Sequence, residues 1–286
     1  APALCDCGEG EPHAPLVSSG SYWIPDITFS GPAKGKNVRC MRASNAAKYL
    51  ADMFAIEQRN GRFGIAGTAV ESEEAELIRA ELRTLNPRGE KAEVKRLNAL
   101  YAKLQAVGGA YVEADRGTFM HSLLEQVVAG AAVAYLECTD GERADTEALL
   151  KLIKDHGIVL QPQYAERVIV WQQMRIAGRV DGIAQYRGAE EIVDLKTGSD
   201  PFLYGEKEIV AQQLVYAHLE AVYSCGLRTF APRPERLRYD RSLLLVSPYG
   251  QAKPYVRRLN LDVAKSAWVT AFEAKRRWLK ASDVTA

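Results

Sequence analysis

No apolar run in this 286-residue chain approaches the roughly 18 consecutive residues that a membrane-spanning helix needs. The opening residues lack the charged-then-apolar order of an export signal, so a cytoplasmic protein outside the membrane is the expectation. Cysteine is scarce, with five in all, and none follows Cys225. Cys5, Cys7 and His13 with Cys40 do not have the ligand spacing of a zinc site. Reduced thiols are the simpler reading in a reducing compartment. The chain also has no GxxxxGK[ST] loop, which excludes a built-in nucleotide-driven motor.

The balance of residues is that of an ordinary globular protein: 47% are hydrophobic and 26% charged, enough for a substantial core in one elaborated domain or two. The net charge of +1 conceals an asymmetry. After Cys225 there are thirteen Lys/Arg against five Asp/Glu, which gives +8 there and leaves −7 before it. An acidic part beside a basic one suits a cation site that must still attract a polyanion, although charged faces are commonly just solvated. Residues 1–20, rich in Gly, Pro, Ser and Ala, read as a loose arm. Residues 21–115 read as a mainly helical elaboration and 116–286 as the core.

Periodicity and turn residues set the elements. Tyr22–Thr28 reads as a short strand and Met41–Gly61 as a helix capped by Ser44. Ser72–Leu85 and Glu90–Val107 read as charged helices split by Asn86-Pro87-Arg88-Gly89, the first capped by Ser72. Their role is either to cover a core or to form a channel wall. Gly117-Thr118 opens a helix running to about Leu136, capped by Thr118, on which His121 and Glu125 share a face. Thr146–His156 is a further helix ending at Gly157. Ile158–Trp171 leads into a sheet, and Gln172–Met174 makes a turn. Arg241–Ser247 and Val256–Leu261 are later strands. Val263–Lys280 is a closing helix whose Trp268, Phe272 and Trp278 belong in the core.

The stretch Ile176–Ala217 carries the chemistry. Its first part alternates as a strand containing Asp181, next to Val180 and Ile183, where an unpaired carboxylate is costly. A second strand, Ile192–Leu195, places Asp194 and Lys196 on one face and Val193 and Leu195 on the other. Two acids and a lysine on neighbouring strands make a divalent-cation site with an adjacent positive charge. Glu206–Cys225 reads as a helix with Gln212 and Tyr216 on one face.

GRVDGI, IVDLKTG and QQLVY, preceded by GTFMHSLLE, resemble the PD-(D/E)xK nuclease superfamily, specifically its RecB-like exonuclease branch. The resemblance runs from Gly117 to about Leu244. It implies an α/β fold: a restriction-endonuclease-like αβββαβ core with a mixed central sheet flanked by helices, here with a helical N-terminal elaboration. It implies one or two Mg²⁺ or Mn²⁺ ions held by Asp181, Asp194 and the Leu195 carbonyl, with His121 at metal or scissile phosphate. Imidazole suits Mn²⁺ better than Mg²⁺. Lys196 is implied as the catalytic cation, Gln212 and Tyr216 as phosphate ligands or supports, and Glu166 as a further acid or an edge-strand charge. The iron–sulfur cysteine pattern of the CRISPR-associated relatives is absent, so no cluster is expected.

The implied activity is a metal-dependent DNA exonuclease in recombination, repair or phage DNA processing. A separate helicase or recombination protein would supply any unwinding. Three readings stand beside it: a structure- or sequence-directed endonuclease, a non-catalytic DNA-binding module, and a structural metal protein built on Cys5, Cys7 and Cys40.

Overall fold

The computed structural model describes residues 16–18, 21–25, 37–48, 53–110, 112–198, 201–224 and 229–281. Cys5, Cys7, His13 and Cys225 lie outside them, as do residues 26–28 at the end of the expected strand and residues 49–52 in the middle of the expected Met41–Gly61 helix.

The described chain opens with β1 (Leu16–Ser18), β2 (Ser21–Pro25), β3 (Asn37–Arg42) and α1 (Ala43–Ala47). Then come α2 (Met53–Ala69), α3 (Glu73–Leu82), α4 (Lys91–Val107), α5 (Val112–Val128) and α6 (Asp140–Asp155). Next are β4 (Val159–Leu160), β5 (Val168–Trp171), β6 (Ile176–Arg179), β7 (Gly182–Tyr186), β8 (Ala189–Lys196) and α7 (Phe202–Ala217). The last are β9 (Ala221–Ser224), β10 (Thr229–Pro232), β11 (Leu237–Val246), β12 (Tyr255–Asn260) and α8 (Asp262–Ala281). Among the described residues no helix is long and apolar enough to cross a membrane.

The chain divides into two compact units, one formed by the segments before Asp52 and from Met120 onward, the other by Asp52–Phe119. Sequence grouped residues 21–47 with the helical elaboration, yet they give β2, β3 and α1 to the larger unit. The cause is long-range: β3 pairs in parallel with β6, Met41 opposite Ile176 and Arg42 opposite Ala177.

In the smaller unit, Ile78, Leu100 and Leu104 form a small core. Gly67 lets α2 and α4 meet backbone to backbone, since a Cβ there would lie 1.9 Å from the Leu104 carbonyl oxygen. Ser72 caps α3 as expected, accepting from the Ala75 amide at 3.2 Å, with Glu73, Glu74 and Glu76 in the first turn, where the helix dipole favours them.

The larger unit is mixed α/β with two mixed sheets. Seven strands run in the order β1-β2-β3-β6-β5-β9-β10 and five in the order β12-β11-β8-β7-β4. The parallel neighbours are β3–β6 in the first and β11–β8 in the second. Ile192, Val193, Asp194 and Leu195 of β8 are all buried. A central strand covered on both faces reads as a continuous apolar run, which makes Asp194 conspicuous. Helix α7 packs on this sheet through Ala211, Leu214 and Val215, and α8 contributes Trp268 and Phe272 to the same core. The Trp268 indole N–H donates to the Ala46 carbonyl at 3.0 Å, joining α8 to α1.

Several boundaries differ from expectation. Arg42, not Ser44, occupies the cap position of α1, and it makes no side-chain cap bond. Helix α5 begins at Val112, so Thr118 lies within it. Helix α6 begins six residues before Thr146, because Thr139 and Glu142 form a reciprocal capping box. Helix α7 ends at Ala217, and Ala221–Ser224 is instead strand β9, paired with β5. Trp268 and Phe272 are core residues as expected.

Candidate metal centre

Asp181 is not inside a strand. Strand β6 ends at Arg179 in the seven-stranded sheet, and β7 starts at Gly182 in the five-stranded one. Asp181 therefore sits at the crossing between sheets, where local alternation could not place it. The Gly182–Val193 pair is the last between β7 and β8 at this end, and two residues further on the Leu195 amide donates to Asp181 Oδ2 at 2.8 Å. From α5, His121 Nδ1 approaches the same oxygen at 3.2 Å.

Glu166 completes the group. Its φ of 53° lies in the left-handed region, which costs a non-glycine residue roughly 1–2 kcal/mol and is a kind of strain found at functional sites. Its amide donates to the Asp181 carbonyl at 3.3 Å, and its carboxylate pairs with Arg179 Nε at 2.8 Å. His121, Glu166 and Asp181 each offer one ligand atom, and these atoms all lie within 4.8 Å of one another. They open on a narrow cleft whose apolar walls include Leu124, Leu160, Val193 and Leu195.

The electrostatics are those of an acidic cluster short of positive charge. Burial, then Asp181, pushes the Glu166 carboxyl up to about 7, with Glu125 and Asp194 adding to it and Arg179 opposing. Burial, then Asp194, pushes Asp181 up to about 6, against His121 and Lys196. Lys196 Nζ stands 2.6 Å from Asp194 Oδ2, with the Asp194 side chain 3% exposed. Burial works against the lysine's charge, but Asp194 and Asp181 outweigh it, and its pKa is raised above the usual lysine value. Lys196 is thus a fixed cation at neutral pH.

The structure brings most of the expected residues together, with shifted roles. Asp194 lies beside Asp181 but outside the three-residue ligand group, and it holds Lys196. Leu195 contributes its amide to Asp181. Gln212 Nε2 donates to Tyr216 Oη at 2.9 Å. Tyr216 is 4% exposed, and burial, followed by Asp194 and Asp181, raises its pKa. It lies near enough to both acids for their charges to act on it. Two residues not singled out for the site join it: Glu125, which lines the cleft, and Arg179, which holds Glu166. The i, i+4 spacing from His121 was the available signal for Glu125. Arg179 had none, because its partner is brought near only by the β5–β6 pairing.

Gly178 leaves the room in which Tyr216 packs. A Cβ on it would meet Ala43 Cβ at 2.6 Å and Tyr216 Cε1 at 2.8 Å. Gly178→Ala must push Tyr216 or α1 away from β6, with an expected loss of about 1–3 kcal/mol. Thermal melting checks it, and an unchanged melting temperature would show that the contact yields freely.

Comparison with models of known families gives no match, and no curated protein matches the sequence.

Proposed function

We propose that this chain is a metal-dependent deoxyribonuclease that hydrolyses phosphodiester bonds from DNA ends, built on a restriction-endonuclease-like αβββαβ core. The observation that carries the reading is the convergence of His121, Glu166 and Asp181 donor atoms beside the Asp194–Lys196 pair. In support of the core, α5 carries His121, the β7–β8 hairpin carries Asp194 and Lys196, and α7 crosses to β11, parallel to β8.

The residues present fit a divalent cation. One imidazole nitrogen and two carboxylates are a suitable donor set for Mg²⁺ or Mn²⁺, the nitrogen favouring Mn²⁺. The charge surplus that raises Glu166 and Asp181 is relieved by such an ion. When bound, it acidifies water and offsets charge developing at phosphorus. The side chains do the rest. Lys196 presents a permanent positive charge toward the phosphate. Asp194 fixes its ammonium, and the Leu195 amide and His121 orient Asp181. Exonuclease action, and a place in recombination, repair or phage DNA processing beside a separate helicase or recombination protein, follow from the resemblance.

The test uses linear and circular DNA with Mg²⁺, Mn²⁺ or EDTA. Loss of linear DNA that needs metal and spares circles is the expected result. Cut circles would identify an endonuclease. DNA bound but left intact under every metal would identify a binding module and end the catalytic reading.

A further inference from the structure

We infer that Arg42 and Arg179 form a phosphate-binding pair beside the metal centre, gripping a backbone phosphate of the DNA strand; this rests on the nuclease reading above. Arg42 lies opposite Ala177 across the β3–β6 pair, and Arg179 is two residues beyond Ala177 on β6. Side chains two apart on a strand share a face, so both arginines stand on one face of the seven-stranded sheet. Strand spacing of about 4.8 Å and a two-residue rise of about 6.6 Å put their Cα atoms roughly 8 Å apart.

Under them lies the apolar cluster of Tyr22, Cys40, Val168 and Ala177. The Arg42 guanidinium is 6.0 Å from the Tyr22 ring centroid. Both arginine charges act on the buried Tyr22 phenol, opposing the rise that its burial causes. Both cations therefore stand on the Tyr22 side of this sheet, and Arg179 is two residues before Asp181 in the chain. Both are exposed, the Arg179 side chain at 50%.

Two like charges at this spacing repel unless an anion lies between or beside them. The acid engaged with Arg179 is Glu166, through Nε, and Glu166 is also a member of the ligand group. A cation bound there draws the Glu166 charge to itself and leaves the terminal nitrogens of Arg179 for another anion. The planar guanidinium forks match phosphate oxygens in pairs. The pair thus completes an alternation that a nucleic acid fits: cation at the acids for the scissile phosphate, arginines for a neighbouring one.

The experiment measures single-turnover cleavage of labelled linear DNA in Mn²⁺ across a salt series, for wild type, Arg42→Ala, Arg42→Lys and Arg179→Ala. Each alanine variant is expected to raise the half-saturating concentration about tenfold and to lower the salt slope by about one unit. The Mn²⁺ affinity of Arg42→Ala without DNA, read by electron paramagnetic resonance, should be unchanged. Arg42→Lys retains the charge and should keep most of the slope. Parallel arms with phosphorylated and hydroxyl ends separate the phosphate's source. An equal loss on both places the pair on an internal phosphodiester, and a loss confined to phosphorylated ends places it on the terminal group. An active wild type with half-saturation and slope unchanged in both alanine variants overturns the pair alone. A wild type that neither binds nor cuts DNA removes the pair and the nuclease reading together.

Discussion

Asp181→Asn should abolish metal-dependent cleavage while making the metal-free protein more stable at pH 8. The loss of turnover follows from the position of Asp181, which shares the ligand group with His121 and Glu166. Removing one electrostatic contributor of this kind costs on the order of 10²–10³ in rate, and removing a ligand should sit at or above that range. The gain in stability follows from linkage. The Asp181 pKa rises from 3.8 to about 6 and that of Glu166 from 4.5 to about 7. Above pH 7 both are charged in folded and unfolded chains alike, so the folded state bears the cost of burial and repulsion. That cost begins to fall at about pH 7 and about pH 6, where the folded chain takes up protons first, and is gone only below the unfolded values of 4.5 and 3.8. At 1.36 kcal/mol per unit, Asp181 alone accounts for something on the order of 2–3 kcal/mol at pH 8.

An asparagine keeps an oxygen for the Leu195 amide and carries no charge. Melts in EDTA should therefore show the variant above wild type at pH 8, the gap narrowing as pH falls through about 6 and closing only below the unfolded value of 3.8. Mn²⁺ should raise the melting temperature of wild type by mass action and that of the variant far less. A variant less stable than wild type at pH 8 would mean that Asp181 is a structural anchor and that its charge is not strained.

How far the site was legible depended on whether each residue's neighbours were local. Asp194 and Lys196 are two apart on one strand, so alternation alone put them on one face. Gln212 and Tyr216 are one helical turn apart and bond to each other. The capped start of α3 was written in Ser72 and the glutamates after it. What could not be read was the division of Ile176–Tyr186 between two sheets. Alternation continues through Val180 and Asp181, yet hydrogen bonding hands the chain from β5 on one side to β8 on the other. Glu166 shows the same limit. It precedes the apolar strand β5 by two residues, and only a left-handed backbone and the nearby Asp181 carbonyl turn it into the group. The strand at Tyr22 was legible and is β2, but its sheet was not, for the related reason that β3 and β6 are more than 130 residues apart in sequence.

Lys196 holds the buried Asp194, and in the proposed reaction it also meets the phosphate; a pair of substitutions can separate the two roles. Lys196→Met leaves Asp194 buried without its cation. Breaking a buried pair by removing one partner costs about 3–5 kcal/mol, so this variant should melt well below wild type and also lose activity. Adding Asp194→Asn removes the stranded charge. Replacing a buried ion pair by neutral groups is often tolerated, so the double variant should regain most of the lost stability. It should not regain turnover, because the phosphate still lacks the ammonium. The expected deficit is about 10²–10³-fold in maximal rate, measured in single turnover with saturating Mn²⁺. Because the lysine's pKa is raised, the wild-type rate should hold its plateau on the alkaline side, as it would not if Lys196 acted as a neutral base. A double variant restored in both stability and rate would assign Lys196 to the fold alone. One restored in stability and still inactive assigns the charge to the reaction.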